Sequence, residues 1–223
     1  MLKVKALSVS YRNRKIIDQL DLSLKPGTIT GIVGLSGCGK TTLLSAINGV
    51  LKERNQSTMS GEIIYKNRKL DSLSVMEISS TIGTVYQDPD KQIVFSSVLA
   101  ELSFALENIC LSTEEILSKV NHVVQVLDIV ELLDRNPQTL SGGEKQLVVL
   151  ASILVMGVDV LLLDEIMAQV DERACDLIQS RLIKLRDEGK TILMIDHELD
   201  HLQMADHIYY LNQGRLKDFN GEF

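Results

Sequence analysis

An α/β fold with a parallel sheet at its centre is predicted by three observations. The stretch Gly34-Leu35-Ser36-Gly37-Cys38-Gly39-Lys40-Thr41-Thr42 fits the pattern G-x-x-x-x-G-K-[ST], with a β-branched apolar run ahead of it and a helical run behind. Strand, glycine loop and helix in that order is the context in which the pattern cradles phosphate. Val160-Leu161-Leu162-Leu163 is a continuous apolar run ending in acid, the mark of a strand buried on both faces of a parallel sheet, and residues 191–195 read as the next buried strand, ending in Asp196-His197. Residues 88–140 read as a helical insert between these parts.

The remaining elements follow from local pattern. Residues 2–10 alternate apolar and polar side chains and predict a strand. Arg12-Asn13-Arg14 predicts a turn, and residues 16–24 a second strand ended by Pro26-Gly27. Residues 53–60 are polar and predict a loop before a strand at 61–65. Residues 82–86 form a short β-rich run leading to Gln87. Ser112-Thr113-Glu114-Glu115 fits a capping box, and Ile116, Val120, Val123 and Leu127 then share one helical face. A long helix is expected to open at Ser141-Gly142-Gly143 and to run to about Met156. Asp171 caps the next helix, which Gly189 stops. After the strand at 191–195, a last helix and two short strands, 208–211 and 215–217, are expected to close the chain.

Composition sets limits on function. The chain has 223 residues, 45% hydrophobic and 24% charged, with a net charge of −7. An acidic chain argues against broad nucleic-acid binding, which needs a basic face. The three cysteines, Cys38, Cys110 and Cys175, show no metal-ligand spacing and suit a reducing compartment. No signal peptide is visible, because Lys3 and Lys5 interrupt the start. The longest apolar run, residues 147–158, falls short of the roughly 20 residues that span a bilayer.

The chemistry concentrates at strand ends. Glycines let the loop backbone aim several N–H groups at an anion, and the helix that follows adds its positive end. Lys40 is placed to reach the β- and γ-phosphates, and the Thr41 hydroxyl to bind Mg²⁺. Asp164 and Glu165 end a buried strand, at the edge where open parallel sheets bind ligands. A carboxylate there can hold Mg²⁺, and its neighbour can polarise an attacking water. His197 follows another such strand, which brings it toward the γ-phosphate or that water. His122, His201 and His207 have no such placement and read as surface or packing residues. Cys38 sits at a helix N-terminus beside Lys40, a setting that favours thiolate. Tyr11 could stack on a base or simply pack. Ser141-Gly142-Gly143 forms a second anion-ready helix start, which one nucleotide does not need. The economical reading is that it faces a nucleotide held by another chain.

Together these features resemble the ATP-binding subunit of an ABC transporter, in the family's order and over nearly the whole chain. The resemblance implies a P-loop NTPase (RecA-like) core with an antiparallel β-subdomain and a helical subdomain at about residues 88–140, all one domain over 1–223. It implies ATP and Mg²⁺ as cofactors, with Gly34, Ser36, Gly37, Cys38, Gly39, Lys40, Thr41 and Thr42 around the phosphates. Tyr11 maps to the aromatic that stacks on adenine. Gln87 maps to the glutamine that touches Mg²⁺ or water and senses the membrane partner. Ser141, Gly142 and Gly143 map to the signature that completes the opposite site, and Asp171 to the aspartate that couples the two sites. Glu165, His197, Gln87 and Lys40 are the catalytic set, and Thr41, Gln87 and Asp164 the metal set.

The implied partners are a second ATPase subunit, identical or not, and an integral membrane subunit, at the cytoplasmic face of the membrane. Gln87-Asp88-Pro89-Asp90-Lys91-Gln92-Ile93 is similar to energy-coupling-factor ATPases and their cobalt/nickel relatives, which energise uptake of vitamins or metal ions. The segment Ile93-Val94-Phe95 is expected to dock the membrane partner or to belong to the core of the insert. Some positions depart from the family. Ile166-Met167 replaces Pro-Thr, Gln169 a glycine, Leu147 an arginine and Glu198 an aspartate, and the chain ends soon after Arg215, short of a common C-terminal extension. Alternatives are another ABC importer or exporter, a soluble ABC ATPase of repair or translation, and a non-hydrolysing subunit of a heterodimer.

Overall fold

The computed structural model describes residues 1–12, 14–53, 57–219 and 221, the side chains of 52 and 53 excepted. Strands β1 (Leu2–Tyr11) and β2 (Arg14–Leu24) form a hairpin, followed by β3 (Ile29–Val33) and helix α1 (Lys40–Ile47). Then come β4 (Ser57–Tyr65), β5 (Arg68–Lys69), α2 (Val75–Ser79) and β6 (Ile82–Val85). The helices α3 (Val98–Asn108), α4 (Thr113–Leu127) and α5 (Gly142–Leu154) precede β7 (Val160–Asp164), α6 (Glu172–Asp187) and β8 (Thr191–Asp196). Strands β9 (His207–Asn212) and β10 (Arg215–Asp218) follow.

The strands make two sheets. One is antiparallel, in the order β2-β1-β4-β5; the other runs β10-β9-β3-β8-β7-β6, parallel except for β10. The continuous apolar runs are explained by burial on both sides of the second sheet. Leu161 and Leu163 of β7 join the apolar cluster under α3 to α6, whereas Val160 and Leu162 join the cluster with α1 and the antiparallel sheet. Side chains alternate across a strand, so covering both faces demands apolar residues at every position. Register then decides where the chemistry lands. Val33 pairs with Asp196, Asp164 with Ile195, and Val85 with Leu163. The glycine loop, Glu165, His197 and Gln87 therefore leave neighbouring strands at one edge.

Three expectations need correction. Residues 57–60 belong to β4 rather than to a loop, pairing with residues 8–11 of β1. Their polar composition reflects a face that is partly open. Gly61 faces a bulge of β1, where Ala6 and Leu7 stand opposite this one residue; its φ is +95°, and a Cβ there would lie 2.5 Å from the Ala6 carbonyl oxygen. Residues 54–56 of the expected loop, and Asn13 of the expected turn, lie outside the described residues. The helix opening after Ser141 stops at Leu154, where the Gly157 N–H closes a turn onto the Leu154 carbonyl at 2.9 Å. The last helix is only a 3₁₀ turn, Asp200–Leu202. The chain must start β9 at His207, and the N–H groups of His197 and Glu198 are already taken by the Asp196 carboxylate.

The capping box expected at Ser112 forms reciprocally with Glu115, and two more form at Ser74 with Glu77 and at Ser141 with Glu144. Asp171 caps α6 by accepting from the Ala174 N–H at 2.9 Å. Among the described residues no helix is long and apolar enough to cross a membrane.

Candidate functional site

The loop between β3 and α1 is built for an anion. Gly39 stands at the N-cap of α1 with φ 115°, and no side chain caps the helix. The first N–H groups of α1 are thus left for a ligand. Gly34 must be glycine, because a Cβ would lie 2.6 Å from the Leu211 carbonyl oxygen and 2.8 Å from the Cys38 sulfur. Lys40 is only 5% exposed. Its ammonium folds back to donate to the carbonyls of Gly34 at 2.7 Å and Leu35 at 3.3 Å, and lies 3.3 Å from Glu165 Oε1.

One cleft collects most of the residues singled out in the sequence. It is lined by Tyr11 from the β1–β2 hairpin, by Ser36, Gly37, Gly39, Lys40, Thr41 and Thr42, and by Gln87, Asp164 and Glu165. Arg14 and Ile16 line it too, and sequence reasoning missed both. They carry no motif and reach the cleft only because the hairpin brings them beside Tyr11.

The acidic pair divides its work. Asp164 is 8% exposed; burial pushes its carboxyl up to about 6, partly offset by a hydrogen bond from the Thr41 hydroxyl. Glu165 leaves the strand with φ +50°, its N–H donating to the Ile195 carbonyl at 2.9 Å. A non-glycine residue in that region is strained and held by its surroundings. The strain turns the side chain between Lys40 and His197, whose Nδ1 lies 3.2 Å from Glu165 Oε2.

The oxygen donors fit a hard divalent cation. The hydroxyl of Thr41 and the carboxylate of Asp164 are already in contact, and Gln87 lines the same cleft. No group of three or more His, Cys, Asp or Glu residues among those described could hold a metal alone. Such a set suits Mg²⁺, which keeps few protein ligands and completes its shell with phosphate oxygens and water.

The other expected residues lie elsewhere. None of Ser141, Gly142, Gly143 and Asp171 lines this cleft. Ser141 caps α5, and Gly143 permits close packing on α6, since a Cβ would lie 2.5 Å from the Ala174 side chain. Ile166 and Met167 are buried in the core, so the altered loop after Glu165 is packed rather than open. Lys145 pairs with Asp90 at 2.6 Å, and the Gln146 amide donates to the Gln87 carbonyl at 2.9 Å. These contacts tie the start of α5 to the strap after β6, and neither was foreseen from sequence.

One side chain behaves differently from expectation. The Cys38 thiol is half-buried, and desolvation raises its pKa despite the neighbouring Lys40. The setting therefore disfavours thiolate. His201, read from sequence as a surface or packing residue, is 12% exposed and bonds to Asp196, its Nδ1 lying 2.9 Å from Oδ2. His207 contacts Asp218 and Tyr209 at the surface, and His122 is exposed.

Residues 17–168 match the family described as ABC transporter. The chain is 38% identical over 210 residues to a putative ABC transporter ATP-binding protein of Clostridium perfringens, covering 93% of this chain and 37% of that one. It is 34% identical to the energy-coupling factor transporter ATP-binding protein of Staphylococcus epidermidis, covering 97% of this chain and 80% of the relative. Its fold matches that of cbiO1 from Clostridium perfringens, described as part of the ABC transporter complex cbiONQ. The TM-score is 0.89 at 32% identity, over 97% of this chain and 86% of that one. The chain spans 37%, 45% and 44% of the length of the first three curated relatives it matches.

Proposed function

The chain belongs to the ABC transporter family of ATP-binding proteins, and we propose that it binds and hydrolyses Mg-ATP to energise a membrane transporter, as a single domain over 1–223 with a helical subdomain at about 88–140. The observation that carries this reading is the convergence of Lys40, Glu165 and His197 beside an uncapped helix start. Lys40 is held by two loop carbonyls and by Glu165. A triphosphate offers the ammonium better partners, because charge-assisted bonds to phosphate outweigh bonds to carbonyls. Glu165 then has a free oxygen to accept a proton from the attacking water, with His197 holding the other oxygen. Tyr11 stacks on the base, and Gln87 follows the γ-phosphate. Thr41, Asp164 and Gln87 would hold Mg²⁺ directly or through water, and the ion supplies charge neutralisation on the phosphates.

The position of Ser141, Gly142 and Gly143 away from the cleft supports a head-to-tail pair, in which each signature closes the partner's site and Asp171 couples the two. The strap after Gln87 and the energy-coupling-factor relatives support an importer of a vitamin or metal ion, with the pair docked on a membrane subunit at its cytoplasmic face. One experiment tests the core of this reading. ATP binding to the isolated chain and turnover in the complex are compared for wild type, Lys40→Ala and Ser141→Arg. Lys40→Ala should lose binding. Ser141→Arg should keep binding and lose turnover. Full turnover in Ser141→Arg means that the site is complete within one chain, and undiminished binding in Lys40→Ala places the nucleotide elsewhere.

A further inference from the structure

Asp196 is a carboxylate at 1% exposure, at the end of β8. A buried charge of this kind is tolerated only when its lone pairs are met. Its Oδ1 accepts the N–H groups of His197 at 2.7 Å and Glu198 at 3.0 Å. Its Oδ2 faces His201 Nδ1 at 2.9 Å. An ionised carboxylate can only accept, so Nδ1 of His201 carries the proton. His201 is itself fixed, because the same 3₁₀ turn inserts Leu202, fully buried, into the core under the helices. Glu198 closes the arrangement from outside, 3.5 Å from His197 Nε2 and 3.7 Å from His201 Nε2.

We propose that His201 is a positioning residue: acting through the buried Asp196, it locks the turn that presents the His197 ring to Glu165. The proposal rests on the reading of Glu165 and His197 as hydrolytic groups. The logic is one of donors. Oδ1 of Asp196 holds the two backbone groups that define the turn, and it can do so only while Oδ2 is satisfied. Without the imidazole, Oδ2 is left buried and bare. The carboxylate then rotates toward water, its grip on the His197 and Glu198 N–H groups loosens, and the His197 ring drifts from Glu165. Misplacement of a reacting group by about 1 Å can cost roughly 100-fold in rate. Glu198, one methylene longer than the family's aspartate, reaches both rings and belongs to the same unit.

The test compares His201→Ala with His201→Asn, whose side-chain amide can stand in for Nδ1–H. The first readout needs no turnover: the imidazole NMR signals of His197 in the isolated chain, assigned by their loss in His197→Ala. They should shift in His201→Ala and return toward wild type in His201→Asn. In the complex, His201→Ala should lower kcat about 10- to 100-fold at unchanged KM for ATP, and should add no further loss in a His197→Ala background. Unmoved His197 signals in His201→Ala overturn the proposal. So does an equal loss of rate in the His197→Ala background, because that is the behaviour of a residue that only supports the fold. A wild-type complex without turnover refutes hydrolysis alone, and the imidazole signals still decide whether His201 places His197.

Discussion

The ammonium of Lys40 and the carboxylate of Glu165 lie 3.3 Å apart, although they come from the glycine loop and from the end of β7. The contact is possible because β3, β8 and β7 run parallel and in register, which brings their ends to one edge. It also joins the group we propose to bind phosphate to the group we propose to activate water. Replacing Glu165 by Gln keeps the shape and removes the base. Turnover of the complex should fall by about 10²–10⁴, the ordinary worth of a general base, while ATP still binds. Single-turnover rates with radiolabelled ATP measure this. Near-normal rates would assign the water to another residue.

Asp164 makes stability depend on pH in a particular direction. Burial raises its carboxyl from 3.8 to about 6. The folded protein therefore holds this proton more tightly than the unfolded chain does. The stability this provides is fully present below pH 3.8 and is lost as pH rises through about 6. The loss is on the order of 2–3 kcal/mol, taking about 1.4 kcal/mol per pKa unit. Asp164→Asn removes the titration. In metal-free protein, its stability relative to wild type should improve between pH 4.5 and 7, as read by urea unfolding at each pH. Adding Mg-ATP should shrink the advantage, because the bound ion restores a partner to the wild-type carboxylate. An advantage that does not change with pH would show that Asp164 titrates as it does in the unfolded chain.

The raised Cys38 thiol leads to a prediction opposite to the one its position in the loop suggests. A helix start and a lysine favour thiolate, but desolvation dominates here. Iodoacetamide at pH 7.5 should label the exposed Cys110 well before Cys38, and Cys38 labelling should accelerate only as pH climbs past 9. Bound ATP should slow it further. Peptide mass spectrometry after timed quenching separates the sites, and faster labelling of Cys38 than of Cys110 at pH 7.5 contradicts the burial argument.

What could be read from the sequence was whatever is local or strictly periodic. The loop from Gly34 to Thr42 carries its own strand and helix, and Leu161 and Leu163 against Val160 and Leu162 record two covered faces in four letters. The capping box at Ser112 is a four-residue pattern with one geometry. What was hidden depends on distant partners. Residues 57–60 look like loop because their strand partners are in β1 and one face is partly open. Cys38 is half-buried against the cluster that holds α1 and the antiparallel sheet, and desolvation outweighs its helix start. Asp196 and His201 are five apart, a spacing that belongs to neither helix nor strand, and only the 3₁₀ turn folds one onto the other.

The strap after Gln87 joins the edge of the cleft to the helices through several side-chain contacts. The Gln87 carbonyl is held by Gln146, Gln92 bonds to both Tyr86 and Thr84, and Lys145 pairs with Asp90. The N–H groups of Val94 and Phe95 both donate to Glu101, at 2.8 and 2.9 Å, which fixes the strap to the first turn of α3. Phe95 is not a free docking residue, because its ring lies 4.9 Å from that of Phe104 in a tilted pair and is half-buried. Removing it costs an aromatic contact worth about 0.5–1.5 kcal/mol beyond its buried area, so Phe95→Ala should lower the melting temperature whether or not a partner docks there. Val94 is the discriminating position: it is 79% exposed, between Ile93, which packs on the core, and Phe95. An apolar side chain held outward next to Phe95, which packs on the exposed Phe104, suits an apolar helix of the proposed membrane subunit. Val94→Asp should therefore leave the melt and ATP binding unchanged while weakening copurification with that subunit. Undiminished copurification of Val94→Asp would move the docking surface away from the strap, and a lowered melt would return Val94 to the packing of the insert.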